Sequence, residues 1–145
     1  MKKENIFVKG AISASLVAEE ILTVQQNKKV GAHTIFIGQV RNDTIKEKKI
    51  IAIEYSAYEE MADATFFKIM EEASEKFNIE ALVITHSLQN VKCGDMCLFV
   101  LVATAHRNEA YDASRFVVEA IKKQVPVFGK EIFEDESHTW KINKF

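Results

Sequence analysis

Basic side chains mark both ends of one predicted helix, in a chain that is otherwise slightly acidic. His106 and Arg107 follow an apolar strand and precede the predicted helix 108–124, which ends close to Lys122. The start of a helix offers unpaired backbone N–H groups and a partial positive charge. With His106 and Arg107 beside it, this helix start is suited to bind a phosphate or a carboxylate.

A purely structural interpretation of the same residues stays open. Arg107 could pair with Glu109 or Asp112 on the surface, and the type of residue alone favours that interpretation. Lys122 and Lys123 could simply stabilise the carboxyl end of the helix through its dipole. The functional alternative is that one of these lysines is partly buried, has a lowered pKa, and binds an anion or transfers a proton.

The length of the helix limits what its two ends can do together. Arg107 and Lys122 are 15 residues apart, which corresponds to about 22 Å along a helix. One small substrate cannot touch both residues of the same chain. Either the two ends serve different sites, or one site is assembled from two chains of a twofold dimer.

Composition narrows the class of protein. The chain has 145 residues, of which 48% are hydrophobic and 28% charged, with a net charge of −2. These values predict a single domain, 1–145, with its own core. They argue against nucleic-acid binding that depends on the overall charge of the protein. No apolar run approaches the ~20 residues of a membrane helix, and the start of the chain lacks an apolar signal core, so we expect a cytoplasmic protein without membrane association.

The sequence contains no recognisable metal or cofactor motif. The four histidines are scattered, and Cys93 and Cys97 lack a second ligand pair at zinc-finger spacing. We therefore expect no metal and no cofactor, and two free thiols in a reducing compartment. Composition alone leaves a Cys–His nucleophilic pair open, although no spacing supports it.

The elements that position these residues come as pairs of strands separated by helices, which predicts an α+β fold with mainly antiparallel sheet and three helices. We expect Ile51, Ile53 and Tyr55 on one face of their strand, and the charged run 46–49 in a solvated hairpin loop. Strands are predicted at 6–8, 30–40, 50–58, 81–86, 96–105, 127–133 and 139–142, and helices from Ser13 or Ser15 to about 26, at 59–77 and at 108–124.

Several short motifs, in a fixed order, resemble the large, catalytic subunit of molybdopterin synthase over nearly the whole chain. The resemblance implies a hammerhead-like single domain. The motifs are GAHTIFIGQVRN at 31–42, IEYSAYEEMA at 53–62, VITH at 83–86, AHR at 105–107 with AY at 110–111, IKKQVP at 121–126, and Trp140 after an acidic turn.

The resemblance implies an activity and partners. Such subunits transfer sulfur to cyclic pyranopterin monophosphate (precursor Z) and so form the dithiolene of molybdopterin. The sulfur arrives as a thiocarboxylate on the C-terminal Gly-Gly of a small ubiquitin-like subunit. The large subunit forms a homodimer with one small subunit at each outer end. Its active site lies at the dimer interface and receives the partner's C-terminal tail.

The resemblance also implies roles for individual residues. Arg41, His106 and Arg107 are expected to bind the phosphate and pterin of the substrate, the last two from the neighbouring chain. Lys122 is expected to bind substrate, orient the thiocarboxylate and assist proton transfer. Lys130 is expected to be a second catalytic lysine. Fixed cations that hold two reactants together would account for much of the catalysis.

The chain departs from the family pattern at three places. Gly129 stands where the family has the first of two lysines, so Lys130 is only a neighbouring substitute. Ser87 follows His86 where the family has arginine, and Lys144 falls near a basic position of the family's tail. The departure at Gly129 is the main support for an alternative function, a non-enzymatic anion-binding or scaffold protein of the same fold. An RNA-binding module is disfavoured by the net charge and by the lack of an aromatic and basic platform.

Overall fold

The computed structural model describes residues 5–141, and over these residues three helices flank an eight-stranded sheet. This confirms the predicted α+β class with mainly antiparallel strands. The strands are β1 (Phe7–Lys9), β2 (Ala32–Gln39), β3 (Thr44–Ile45), β4 (Lys48–Ala57), β5 (Ile79–Lys92), β6 (Met96–Thr104), β7 (Val127–Phe133) and β8 (His138–Trp140), and the helices are α1 (Ala14–Val24), α2 (Glu59–Lys76) and α3 (Arg107–Gln124).

The strands follow the order β2-β6-β5-β4-β7-β8, with β1 beside β5 and β3 beside β4. Among the described strands only β1 and β5 run parallel. The turn between β5 and β6 contains Gly94 at φ +91°, a left-handed conformation that glycine adopts at little cost. β5 is longer than the predicted strand 81–86, because it pairs with β6 along its first half and with β4 along its second. This long strand places His86 beside residues of β4.

The helix α2 packs on the sheet through one apolar stripe. Ala62, Phe66, Ile69 and Ala73 recur at helical spacing and are all fully buried. They share one core with β6 and with α3, and Val117 is among the residues that α3 contributes. The polar side of α2 faces outward.

The helix α1 covers the opposite side of β6. Its N-cap is Ser13, one of the two predicted candidates, whose hydroxyl accepts a hydrogen bond from Leu16 N at 3.1 Å. Val24, Phe99 and Leu101 form the buried centre of this second core. The sheet is therefore covered on both sides over β6, which explains why that strand is a continuous apolar run.

The prediction of a loop at 46–49 is wrong for half of that run. Lys48 and Lys49 belong to β4, and only Lys46 and Glu47 form the turn, at φ 52° and 68°. Ile50 and Ile51, which follow, favour a strand, so the hairpin of β3 and β4 continues up to the turn. The lysines stay exposed, so the chain gains backbone hydrogen bonds without burying charge.

The predicted common face of Ile51, Ile53 and Tyr55 is wrong for Ile51. The register between β4 and β7 shifts between Ile50 and Ala52, so one extra residue enters β4 and the alternation slips by one position. Ile50 is consequently buried, whereas 46% of Ile51 is exposed. Ile53 and Tyr55 keep their predicted inward direction.

The C-terminal hairpin is shorter than predicted. β8 ends at Trp140, and Ile142 of the predicted strand 139–142 lies outside the described residues, as does Lys144. The single domain 1–145 likewise extends past the described residues and stays a prediction. No helix within residues 5–141 is long and apolar enough to cross a membrane.

Candidate active site

A cleft of about 360 Å³ lies between the carboxyl end of α3 and the strands β4, β7 and β8. Three lysines line it, and none of its lining residues is a carboxylate. It is a positively charged cleft in a chain of net charge −2. The lining residues are Tyr55, His86, Ile121, Lys122, Lys123, Val125, Val127, Phe128, Gly129, Trp140 and Lys141.

Lys122 enters this cleft from the last turn of α3. The preceding residue, Ile121, is buried in the main core and fixes the direction of the turn. Lys122 itself is only half-exposed, and burial, followed by the charge of Lys141, lowers the pKa of its ammonium group. Within residues 5–141 Lys122 forms no ion pair. A partly buried cation without a counter-ion is a favourable site for an incoming anion.

His86 forms the floor of the cleft and is 6% exposed. Its ring lies among the rings of Phe7, Tyr55 and Phe66, at centroid distances of 6.1, 5.4 and 6.5 Å. The Nδ1 atom is 2.7 Å from the carbonyl oxygen of Ser87, which can only accept, so Nδ1 donates and carries the proton. Burial lowers the pKa of His86 to about 4, with a smaller contribution from Lys122. The imidazole is neutral near pH 7, and its Nε2 is an acceptor.

Stability should depend on pH through His86. In the unfolded chain this histidine titrates near 6.5, and in the folded protein near 4, so between these values the unfolded state binds more protons. We therefore expect the free energy of unfolding to fall as the pH falls from 6.5 to 4, by roughly 3 kcal/mol from this group. Urea unfolding of His86→Gln at several pH values should show a flatter profile in that window. His33→Gln, which removes an exposed histidine, should keep the wild-type profile, and a wild-type slope in His86→Gln would contradict the assignment.

Tyr55 lies next to His86 and keeps its proton at all physiological pH values. Burial raises the pKa of its phenol well above the usual value, and the neighbouring thiol of Cys97 adds to this effect. Cys93 and Cys97 are both free, and burial raises the pKa of the Cys93 thiol as well. Tyr55 can therefore act in the cleft only as a neutral hydrogen-bonding group, and the Cys93 thiol lacks the lowered pKa of a nucleophilic thiol.

Aromatic side chains surround the mouth of the cleft. Tyr58 and Phe128 pack edge to face with ring centroids 5.4 Å apart, and both are substantially exposed, as is Trp140. A second groove of about 340 Å³ lies on these three residues and shares Phe128 and Trp140 with the lysine cleft. An extended chain could therefore lie over this aromatic surface and reach Lys122.

The other predicted binding residues lie outside the cleft of their own chain. Arg41 follows β2, is exposed, and pairs with Asp43 at 3.1 Å. His106 is the N-cap of α3, and its carbonyl accepts a hydrogen bond from the Thr104 hydroxyl at 2.6 Å. Arg107 begins α3 and forms no ion pair within residues 5–141, so the surface pairs considered for it are absent there. The continuous helix confirms that both ends of α3 cannot meet one small ligand within one chain.

Lys130 does not line the cleft either. In the register of β4, β7 and β8 it lies level with Glu54 and Trp140, and its ammonium group is 3.4 Å from the Glu54 carboxylate. Neighbouring residues of a strand point to opposite faces, so Lys130 and Gly129 face different sides of β7. Its catalytic role stays a prediction that this geometry does not support.

Sequence reasoning did not assign His86, Tyr55 or Lys141 to the site. His86 and Tyr55 belong to motifs that support the family resemblance, but nothing in the local pattern shows that they meet. Lys141 follows Trp140, and its place opposite Gly129 depends on the register of β8. Within residues 5–141 no group of three or more His, Cys, Asp or Glu residues could hold a metal ion.

A comparison with protein families decides the relationship. The model of the family described as MoaE protein matches residues 11–124, which is most of the chain and includes Lys122. The chain belongs to the MoaE family. The family resemblance predicted from the motifs is thereby confirmed.

Individual relatives support the assignment over most of the chain. The chain is 37% identical over 117 residues to the molybdopterin synthase catalytic subunit of Bacillus subtilis, covering 81% of this chain and 74% of that protein. It is similar in structure to molybdopterin synthase from Staphylococcus aureus, with a TM-score of 0.83, 31% identity and 99% of both chains covered. A chain from a complex of subunits 1 and 2 of molybdopterin-converting factor from Helicobacter pylori has the same fold, with a TM-score of 0.81 at 19% identity, over 95% of this chain and 90% of that one.

Proposed function

We propose that this MoaE-family protein is the catalytic subunit of a molybdopterin synthase. It transfers sulfur from the thiocarboxylated C-terminus of a small ubiquitin-like subunit to precursor Z and so forms the dithiolene of molybdopterin. The observation that carries the proposal is the lysine cleft itself: a half-buried Lys122 without a counter-ion, beside an aromatic surface that leads to it. The names of the relatives support the same reaction.

The chemistry requires an anion-binding site that can also move protons. The thiocarboxylate sulfur attacks a carbon of precursor Z, a C–S bond forms, and the displaced group leaves with its electron pair. Water then cleaves the acyl–sulfur bond, which leaves the sulfur on the substrate and a carboxylate on the partner. Lys122 would hold the thiocarboxylate and stabilise the charge that develops on its oxygen. Its lowered pKa makes it a better proton donor and acceptor near neutral pH than an ordinary lysine.

Each C-terminus carries one sulfur, so two partner molecules must react for every dithiolene. The aromatic groove of Tyr58, Phe128 and Trp140 would take the extended tail, because glycine residues allow close approach of a backbone to flat rings. The Helicobacter pylori protein of the same fold was solved as a complex of two subunits. That observation supports a small partner subunit here.

The remaining predicted binders, Arg41, His106 and Arg107, would complete the site in a homodimer. We infer that His106 and Arg107 come from the neighbouring chain, because α3 holds them about 22 Å from Lys122 of their own chain. An exposed apolar surface supports self-association: Ile35 and Ile37 on the edge strand β2 and Tyr111 on α3 are all exposed. Cytoplasmic location remains part of this proposal, in agreement with two free cysteines.

A single-turnover assay tests the proposed function. The protein is mixed with precursor Z and the small subunit in thiocarboxylate form, and the dithiolene product is measured against the amount of thiocarboxylate consumed. We expect product at a ratio of two thiocarboxylates per dithiolene, and none with the small subunit in carboxylate form. A stable complex that yields no product would refute the enzyme and support a scaffold of the same fold.

A further inference from the structure

Gly129 lies in a row of residues that crosses three strands. It pairs with Tyr55 of β4 on one side. On the other side its carbonyl accepts a hydrogen bond from Lys141 N at 2.8 Å. Residues directly opposite each other in antiparallel strands point to the same face. Tyr55, position 129 and Lys141 therefore face the same side, and all three line the lysine cleft.

Little space is left beside position 129. A Cβ atom there would lie 3.0 Å from Ile53 Cγ2, 3.4 Å from Tyr55 Cε1 and 3.7 Å from Lys141 Cβ. The first contact is tight, so a side chain at 129 would require the Ile53 methyl group to shift by a few tenths of an ångström. The Cβ atom of Lys141, the residue after β8, is also close to position 129, and the Lys141 side chain therefore begins beside Gly129.

The charge of Lys141 reaches the centre of the cleft. It acts on Lys122 strongly enough to lower the pKa of that lysine, second only to burial. Within residues 5–141 Lys141 has no carboxylate at ion-pair distance. The charge of Lys141 also acts on Glu131 and lowers the pKa of its carboxyl group. Burial, the larger effect, raises that pKa. Lys122 and Lys141, together with Lys123, thus line a cleft whose lining contains no carboxylate.

We propose that Lys141 is the second anion-binding cation of this site, in the role that the sequence pattern suggested for Lys130. Lys122 and Lys141 form a two-lysine clamp for the terminal thiocarboxylate of the partner. Lys130 does not line the cleft, and its ammonium group is 3.4 Å from the Glu54 carboxylate. This inference rests on the proposed function for its ligand, but the placement of the two lysines does not.

The test compares three lysine variants in the homodimer: Lys141→Met, Lys130→Met and Lys92→Met, the last an exposed strand lysine outside the cleft. We expect Lys141→Met to slow single-turnover sulfur transfer about 10- to 100-fold, less than the loss of a fully enclosed donor, because Lys141 is exposed and its charge is screened. Lys130→Met should lose less than Lys141→Met, and Lys92→Met should match the wild type. Lys141→Arg should retain most of the rate. A loss from Lys130→Met equal to or larger than that from Lys141→Met would overturn the proposal.

A second readout does not depend on turnover. The pH dependence of Lys122 acylation by acetic anhydride, followed by peptide mass spectrometry, reports the pKa of Lys122. Removing the neighbouring cation in Lys141→Met should move that profile to higher pH, and Lys141→Gln should do the same if Lys141→Met folds poorly. An unmoved profile would show that the two lysines do not share the cleft and would overturn the proposal. If wild-type protein transfers no sulfur at all, the proposed function fails, and the acylation profile still decides the placement of Lys141.

Discussion

Lys122→Ala should reduce the single-turnover rate of dithiolene formation about 10²- to 10³-fold, which is the usual effect of removing one preorganised donor from a site that excludes water. The half-buried ammonium of Lys122 has no counter-ion within residues 5–141. An incoming thiocarboxylate can therefore pair with it without first breaking another ion pair. Binding of the small subunit should persist, because the aromatic groove is intact. The rate and the affinity are measured separately, by quenched turnover and by calorimetry.

Two further variants sharpen this experiment. Lys68→Ala removes a lysine from the exposed side of α2, where its ammonium group is 3.9 Å from the Glu72 carboxylate, and should leave the rate unchanged. Lys122→Arg keeps the positive charge but cannot release a proton near neutral pH. A rate near wild type in Lys122→Arg would assign Lys122 to charge stabilisation, whereas a rate as low as that of Lys122→Ala would assign it to proton transfer. An unchanged rate in Lys122→Ala would contradict both roles.

Phe66→Ala should cost about 3–5 kcal/mol of the free energy of unfolding, the range found when a buried aromatic ring is truncated. Phe66 is 0% exposed and packs edge to face on Phe7, with centroids 5.7 Å apart. The same ring lies against His86, so the cavity would also loosen the floor of the lysine cleft. Urea unfolding at pH 7.5 measures the loss, well above the pKa of His86.

The matched control for that substitution is on the same helix. Met61→Ala removes a long side chain that is 61% exposed, and substitutions at such positions usually change stability by less than about 0.5 kcal/mol. A loss below about 1 kcal/mol in Phe66→Ala would mean that the core relaxes around the missing ring. In that case α2 would not be the element that holds β1 and His86 together.

The sequence predicted the helices well because each carries its own periodic signal. The stripe from Ala62 to Ala73 repeats at helical spacing, and Ser13 is a typical cap, so local chemistry decides both features. The apolar run of β6 similarly predicted a buried strand. Lys122 was predicted at the end of α3 with partial burial as the functional alternative, and the structure shows that it is half-buried.

The errors arose where several local patterns were equally compatible with the sequence. Residues 50–53 are all apolar, so alternation could not reveal which of Ile50 and Ile51 faces inward; pairing with β7 decides it through a bulge. Lys48 and Lys49 were predicted in a loop because they belong to a charged run. Pairing with β3 places them in a strand, and the local sequence does not show that partner.

The cleft could be predicted only in part, because most of it is made by contacts between distant segments. His86 becomes a neutral, buried base through Phe7, Tyr55 and Phe66, and no local window contains these residues. The place of Lys141 depends on the register between β7 and β8, which the sequence does not show. Lys130 was predicted instead because it directly follows Gly129, where the family has a lysine. Arg41, His106 and Arg107 remain proposals that need the second chain of a dimer.

A crystal structure of the protein in complex with the small subunit would test the central claim most directly. We expect the tail of the small subunit to lie across Tyr58, Phe128 and Trp140 and to place its terminal carboxyl about 3 Å from the ammonium nitrogen of Lys122, within hydrogen-bonding distance. A tail that ends outside the lysine cleft, in a complex that is active in solution, would contradict the assignment of this cleft as the site of sulfur transfer.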